Sequence, residues 1–125
     1  MAKSIKLKDS YFLNGEIYDM TTNSNGTYVK WANGFMVCWR RVQIKGLNTS
    51  EFYGETFLFP ASFLSGQDCN VSMTQVSNGG SWASLRNNCV PLSDGTGCNL
   101  TFYNAEQTWS SSTSWWDIIA VGKWK

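Results

Sequence analysis

YVKWANGFMVCW, residues 28–39, carries the strongest structural signal in this chain. Two runs of aromatic and β-branched residues flank Asn33-Gly34, a dipeptide typical of a two-residue type I′ turn because both central positions of that turn need a positive φ. The pattern predicts a β-hairpin whose cross-strand pairs are Trp31 with Met36, Val29 with Cys38, and Tyr28 with Trp39.

The same signal occurs around Asn14-Gly15, where it predicts an N-terminal hairpin with Phe12 opposite Ile17. Later runs predict strands at 56–59, 70–76, 98–104 and 116–124, and no window has apolar residues at helical spacing. The predicted fold is therefore all-β: a compact antiparallel β-sandwich of about six strands, preceded by an N-terminal hairpin or stem segment.

Polar stretches divide the chain. TTNSNGT at 21–27 predicts a break between a stem, residues 1–27, and the β-sandwich, residues 28–125. Three further polar stretches, 77–88, 91–97 and 105–114, predict long loops. Loops on a rigid sandwich commonly carry function, so these three are the expected places for recognition.

Composition argues against several classes of function. The 125 residues carry a net charge of +1 and contain no histidine, so nucleic acid binding and the commonest catalytic designs are not expected. No apolar run reaches the ~18 residues of a membrane span, and the four cysteines lack the paired spacing of a zinc site. We expect no metal, no cofactor, reduced thiols and no enzymatic activity, since Glu106 and Asp117 are the only local carboxylate pair.

Two strands lack the alternation expected when one face of a sheet meets water. Phe35 to Trp39 is apolar throughout, and 116–124 offers Ile118 on one face and Ile119 on the other. Association with further copies would cover these faces; the alternative is that loops cover them. Arg40-Arg41 interrupts the first strand, and a bulge or an intersubunit ion pair would accommodate the inward-facing arginine.

Three segments, in order, resemble the tip domain of bacteriophage and prophage tail fibres. They are GTYVKWANGFMVCWRRV at 26–42, FLFPASF at 57–63 and IIAVGKWK at 118–125. A tryptophan precedes the last motif in that family, and it falls on Trp115 or Trp116 here. Residues 57–124 also resemble the six-stranded sandwich of H-type lectins, a resemblance that implies a homotrimer and a carbohydrate ligand.

Sugar sites combine exposed aromatic rings with polar groups that bind hydroxyls. The candidates here are Trp109, Trp115, Asp117 and Arg86, although the two tryptophans also suit a core. The resemblance implies a virion protein, assembled in the bacterial host cytoplasm, that contacts other tail proteins and binds a host cell-surface glycan. A purely structural baseplate or fibre component and a stand-alone lectin remain the alternatives.

Overall fold

A computed structural model of the chain describes residues 15–45, 52–77, 84–103 and 113–125. Within these residues the only helical element is a 3-10 turn at Gly66–Asp68. The described strands are β1 Ile17–Asn23, β2 Gly26–Trp31, β3 Phe35–Lys45, β4 Phe52–Leu58, β5 Cys69–Ser77, β6 Ser84–Pro91, β7 Gly97–Tyr103 and β8 Thr113–Lys123. The all-β prediction is confirmed, and the described residues from β2 onward form seven strands where about six were expected, β6 being the additional one.

The strands form two antiparallel sheets. The larger has the order β1-β2-β3-β8-β5 and the smaller the order β4-β7-β6. The centre of the larger sheet is the pairing of β3 with β8, which runs without a register shift from Phe35 opposite Lys123 to Lys45 opposite Thr113. This continuous pairing fixes which side chains of the two strands share a face.

The hairpin of residues 28–39 forms, but its predicted register is wrong by one residue. Tyr28 lies opposite Cys38 and Lys30 opposite Met36, because residues 32–34 make a three-residue connection. The Gly34 N–H donates to the Trp31 carbonyl at 3.0 Å, and Gly34 itself adopts φ +97°. Glycine here follows the turn, in the position where a three-residue hairpin loop needs a positive φ.

The predicted break at 21–27 is also corrected. Its turn lies at Ser24-Asn25, but the flanking residues are paired, with Asn23 opposite Gly26. Thr22 and Thr27 join their hydroxyls across the strands at 2.8 Å, so polar side chains suit this exposed ribbon. The division into stem and sandwich at residue 27 stays a prediction, and the hairpin turn at Asn14-Gly15 falls partly outside the described residues.

The three predicted loops have different outcomes. Strand β6 occupies the second part of the predicted 77–88 loop, so that prediction is wrong from Ser84 onward. Residues 92–96 do connect β6 to β7, and a turn closes there because the Gly95 N–H donates to the Leu92 carbonyl at 2.9 Å. Most of the predicted 105–114 loop lies outside the described residues, and β8 already begins at Thr113.

The core lies between the sheets and is built from alternate residues of their strands, together with Phe59 and Phe63 from the connection between β4 and β5. Phe102 is fully buried and its ring lies 5.1 Å from that of Trp116, which joins β7 to β8 across the sandwich. The other core members are Met36, Cys38, Val42, Ile44, Phe57, Phe59, Phe63, Cys69, Cys98, Leu100, Ile118 and Ala120.

Arg40 is the inward-facing arginine of β3; the predicted bulge is wrong, and the intersubunit ion pair stays a prediction. The β3 register has no bulge, and the guanidinium extends to the edge of the smaller sheet. There it donates to the Leu58 carbonyl at 3.1 Å and lies 5.5 Å from the centre of the Phe57 ring. Partial burial lowers the pKa of this guanidinium.

All four cysteines are unbridged, and three of them, Cys38, Cys69 and Cys98, are buried. Burial is the main cause that raises the pKa of the Cys38 and Cys98 thiols to about 12, so both stay protonated at neutral pH. No group of three metal-ligating side chains occurs in the described part of the chain. The same residues include no helix long and apolar enough to span a bilayer.

Candidate recognition site

The outer face of the larger sheet, on the side away from the core, carries a continuous apolar surface. Its side chains alternate with the core residues along each strand, and several are well exposed: Met20 at 61%, Trp39 at 49% and Ile119 at 42%. We call this surface the apolar patch; its members are Ile17, Met20, Val29, Trp31, Phe35, Val37, Trp39, Ile119 and Val121.

The strand register arranges the patch in three rows. Ile17, Trp31 and Phe35 share the first row, in which the last two rings lie 5.6 Å apart. Met20, Val29, Val37 and Val121 form the second row, and Trp39 lies beside Ile119 in the third. The prediction that both faces of β3 and β8 are apolar is thus confirmed, and no described loop covers the outer one.

Trp115 lies on this same outer face, beyond the third row. It is 40% exposed and sits opposite Gln43 of β3 and Ser77 of β5. Its neighbour Trp116 points the other way and is buried against Phe102. Of the two tryptophans that the terminal motif leaves open, Trp115 is therefore the one with a ring available to a ligand.

Asp117 lies between Trp115 and the apolar patch, and it forms a two-point ion pair with Arg41. The Arg41 Nε donates to Oδ1 of Asp117 at 2.8 Å, and a terminal guanidinium nitrogen donates to Oδ2 at 3.1 Å. The hydrogen bonds from Arg41 are the main cause that lowers the pKa of Asp117, and the same contact raises the pKa of Arg41. The pair is exposed on the surface yet carries no net charge.

Arg41 is the member of this site that sequence reasoning did not assign to it. It lies 76 residues before Asp117, and only the register of β3 against β8 brings the two together. The signal that could have found it is the pattern itself: Arg41 and Asp117 are charged positions in two strands predicted to be apolar on both faces.

The other two predicted residues are not joined to this site by the structure. Arg86 belongs to β6 of the smaller sheet, where the pairing with β7 is irregular between Leu85 and Asn88, and its side chain lies outside the described residues. Trp109 also lies outside them. Of the four candidates, the structure brings together Trp115 and Asp117.

A shallow groove at another part of the molecule had no signal in the sequence. It has a volume of about 440 Å³ and runs between the 3-10 turn and the β6–β7 connection. The Gly66 N–H donates to the Ser93 carbonyl at 3.0 Å and holds the two walls together. Its lining carries no charged side chain: Ser65, Gly66, Gln67, Val90, Pro91 and Ser93.

Comparison with known proteins finds likeness at the level of structure. No protein-family model matches the chain. No curated protein matches it either. An N-truncated R1-type pyocin tail fibre superposes with a TM-score of 0.60 at 18% identity, over 83% of this chain and 84% of that one. The chain thus has the fold of a tail-fibre domain, as the three sequence motifs predicted.

Two more solved structures are similar. A fragment of the R1 pyocin fibre from P. aeruginosa, comprising C-terminal residues 323–701, matches with a TM-score of 0.56 at 17% identity. The match covers 82% of this chain and 27% of that fragment, so the shared fold accounts for about a quarter of the fragment. The tailspike protein gp49 from Pseudomonas phage LKA1 gives a lower TM-score of 0.45 at 17% identity, over 71% of this chain and 15% of its own.

Proposed function

We propose that this chain is the receptor-binding tip module of a phage or prophage tail fibre, and that it binds a carbohydrate on the host surface. The observation that carries the proposal is the superposition on a pyocin tail fibre, which extends over 83% of one chain and 84% of the other. A match that covers both chains almost fully concerns the whole sandwich and not one local motif.

The chemistry on the outer face supports a sugar ligand. Trp115 offers an exposed indole, onto which the apolar face of a pyranose can stack. Asp117 offers carboxylate oxygens beside that ring, and its pairing with Arg41 keeps them ionised and oriented. Arg86 and Trp109 stay predicted contacts of the ligand, and the structure joins neither of them to Trp115 and Asp117.

The same proposal includes the assembly of the protein. We expect a homotrimer that joins other virion tail proteins and is assembled in the bacterial host cytoplasm. It acts as a binding protein with no catalytic step, and neither nucleic acid nor membrane insertion takes part. The second candidate, a structural component of the fibre or baseplate, is favoured by one observation: the apolar patch is suited to contact with protein.

Trp115→Ala, with Leu64→Ala as the matched control, tests the site. Both side chains are exposed, at 40% and 54%, and Leu64 lies in the connection between β4 and β5, where its N–H bonds the Lys123 carbonyl at the opposite end of β8 from Trp115. On a glycan array and on host cells, Trp115→Ala should weaken binding about tenfold or more, whereas Leu64→Ala should bind like the parent.

The melting temperature and the molecular mass of each variant are measured beside its binding. An unchanged melting temperature and mass with lost binding supports the site, because an exposed tryptophan contributes little to the fold. If the parent protein bound neither a glycan on the array nor host cells, the result would contradict receptor recognition and favour the structural component. Equal binding by both variants would move the site away from Trp115.

A further inference from the structure

We propose that the inner side of the β1–β2 hairpin is a second ligand site, and that it binds an anionic saccharide, a sugar that carries a carboxylate or a phosphate group. It lies at the opposite end of β8 from Trp115 and on the other face of the larger sheet, so it is separate from the receptor site proposed above. We call it the hairpin site, and its members are Tyr18, Asp19, Tyr28, Lys30, Trp124 and Lys125.

The inner side of the hairpin continues the sheet face that forms the core, yet its side chains are polar. Lys30 lies opposite the fully buried Met36, and Tyr28 lies opposite the buried Cys38. On its other side Lys30 lies opposite Asp19 of β1. Because burying a charged group costs free energy unless it is paired, packing alone favours an apolar residue at position 30. Departures of this kind from the packing pattern are expected where a sequence serves function.

Aromatic rings surround the Lys30 ammonium and leave its charge in place. Its Nζ lies 4.9 Å from the centre of the Trp124 ring and 5.3 Å from that of Tyr28. A ring face attracts a cation but has no net charge with which to cancel it. Asp19 instead accepts hydrogen bonds from the Tyr28 hydroxyl at 2.7 Å and from the Thr21 hydroxyl at 3.0 Å. Among the residues that the structure describes, no carboxylate forms an ion pair with Lys30, and an anionic ligand would supply that partner.

A second ammonium group at the same indole makes the site cationic. The Lys125 Nζ lies 5.3 Å from the centre of the Trp124 ring. Asp19 is the carboxylate side chain of the site, and the hydrogen bond from Tyr28 is the main cause that lowers its pKa. Two ammonium groups against one carboxylate leave an excess of positive charge among these side chains, which favours an anionic ligand over a neutral one.

A bulge in β1 adds an aromatic ring to the site. The register of β1 against β2 shifts between Ile17 and Asp19, so Tyr18 is the extra residue of β1. A bulge redirects a side chain, and here the Tyr18 ring stacks on that of Trp124, with centres 5.0 Å apart and planes inclined by 29°. The indole is fixed in turn, because its Nε1 donates to the Trp31 carbonyl at 2.9 Å.

These groups together indicate the class of ligand. Tyr18, Tyr28 and Trp124 are each partly exposed, so their rings offer apolar surface to the ring of a sugar. Asp19 offers carboxylate oxygens to sugar hydroxyls, and Lys30 offers an ammonium to a carboxylate or a phosphate. A saccharide with an anionic group uses all of these contacts, whereas a neutral sugar or a free anion uses only some of them.

Calorimetric titration of the full chain with two pairs of probes tests the proposal. Trigalacturonate is compared with its methyl ester, and mannose 6-phosphate with mannose, so the two pairs distinguish a carboxylate from a phosphate. At least one acidic probe should bind about tenfold or more tightly than its neutral counterpart, because hydrogen bonds to charged groups are the stronger ones. Inorganic phosphate should bind more weakly than that probe. Equal binding within both pairs, or phosphate binding as tight as that of the acidic sugars, overturns the proposal.

Variants of the lysines locate the binding. Lys30→Met keeps the aliphatic packing and removes the charge, so it should weaken binding of the acidic probe about tenfold or more while the melting temperature is maintained. Lys125→Gln, at an exposed position, should weaken binding without affecting the fold. Lys123→Gln is the matched control, because this exposed lysine lies opposite Phe35, in the phase of the outer face.

Parent-like binding by both Lys30→Met and Lys125→Gln would overturn the proposal, as would an equal loss in Lys123→Gln. Trp115→Ala should bind the acidic probe like the parent, since its site lies at the other end of β8. Failure of the receptor proposal at Trp115 therefore leaves this test unaffected, and loss of acidic-probe binding in Trp115→Ala would contradict a separate hairpin site.

Discussion

Ile118 and Ile119 follow each other in β8 and have the same side chain, yet their surroundings are opposite. Ile118 is 1% exposed and packs in the core with Trp116 and Ala120, whereas Ile119 is 42% exposed on the outer face beside Trp39. The two faces of the larger sheet repeat this difference along β3, where Met36 and Cys38 are buried and Phe35 and Trp39 are not. Both faces are apolar, and the difference between them is the presence of a second layer.

The smaller sheet is that second layer, and it covers the inner face alone. Phe57, Leu100 and Phe102 come from its strands and fill the core against β3 and β8. On the outer face, none of the described residues supplies a comparable layer. The comparison shows that apolar composition in a strand predicts a need for burial but does not say which molecule supplies it.

The neighbouring isoleucines give the sharpest test of this difference. Ile118→Ala should lower the free energy of unfolding by about 2–5 kcal/mol, since it removes buried methylene groups and leaves a cavity. Ile119→Ala, the matched control, should change the stability of the isolated chain by less than about 1 kcal/mol. Urea unfolding at low protein concentration measures both.

Equal losses in the free energy of unfolding of the monomer would contradict the difference between the two faces, because the outer face would then be packed within the chain. The difference between the two faces is defined more closely if Ile119→Ala lowers the free energy of unfolding only at high protein concentration. That concentration dependence is the behaviour expected when a second copy covers the outer face.

A substitution at Gly122 tests how closely the backbone packs at the end of β8. A Cβ atom there would lie 2.0 Å from the Asp68 carbonyl oxygen and 2.7 Å from the Cys69 Cα, both backbone atoms that cannot turn away. Gly122→Ala should therefore cost about 1–3 kcal/mol in urea unfolding. Gly54→Ala is the control, because its Cβ would meet only the Leu100 carbonyl oxygen at an ordinary 3.6 Å. Equal stability of the two variants would show that the inner face is looser than its packing indicates.

Sequence patterns predicted the fold class because aromatic and β-branched runs are a local signal. They failed where geometry depends on a distant partner or on one backbone angle. The register of the 28–39 hairpin is set by Gly34, which follows the turn with φ +97° where a two-residue loop would have placed it inside. Strand β6, SLRNNCVP, is polar and irregularly paired at a sheet edge, so it lacks the alternation by which strands are found.

The candidate site divides in the same way. The exposure of Trp115 depends on the phase of β8, and sequence alone allows Trp115 and Trp116 to exchange roles. The structure resolves that phase through the pairing of β8 with β3, which also brings Arg41 to Asp117. The sequence thus supplied candidates at single positions, whereas the pairing of positions 76 residues apart required the fold.

Of these changes, loss of the Arg41–Asp117 pair should have the smallest effect on stability. The size of that effect depends on how much water reaches the part of the outer face where the pair lies. An exposed ion pair contributes little to stability because water screens it, so Asp117→Asn should shift the urea midpoint at pH 7 only slightly. Arg41 lowers the pKa of Asp117 below its usual value of 3.8, so any stabilisation is present above that value and is lost as the pH falls through the lowered pKa. Parent and variant should therefore converge in acid, and also at 1 M salt, where the screening length falls to about 3 Å. A double-mutant cycle with Arg41→Gln isolates the coupling of the two side chains. A coupling that is strong, insensitive to salt and present in the monomer would mean that this part of the outer face is covered within the chain, contrary to the contrast between the two faces.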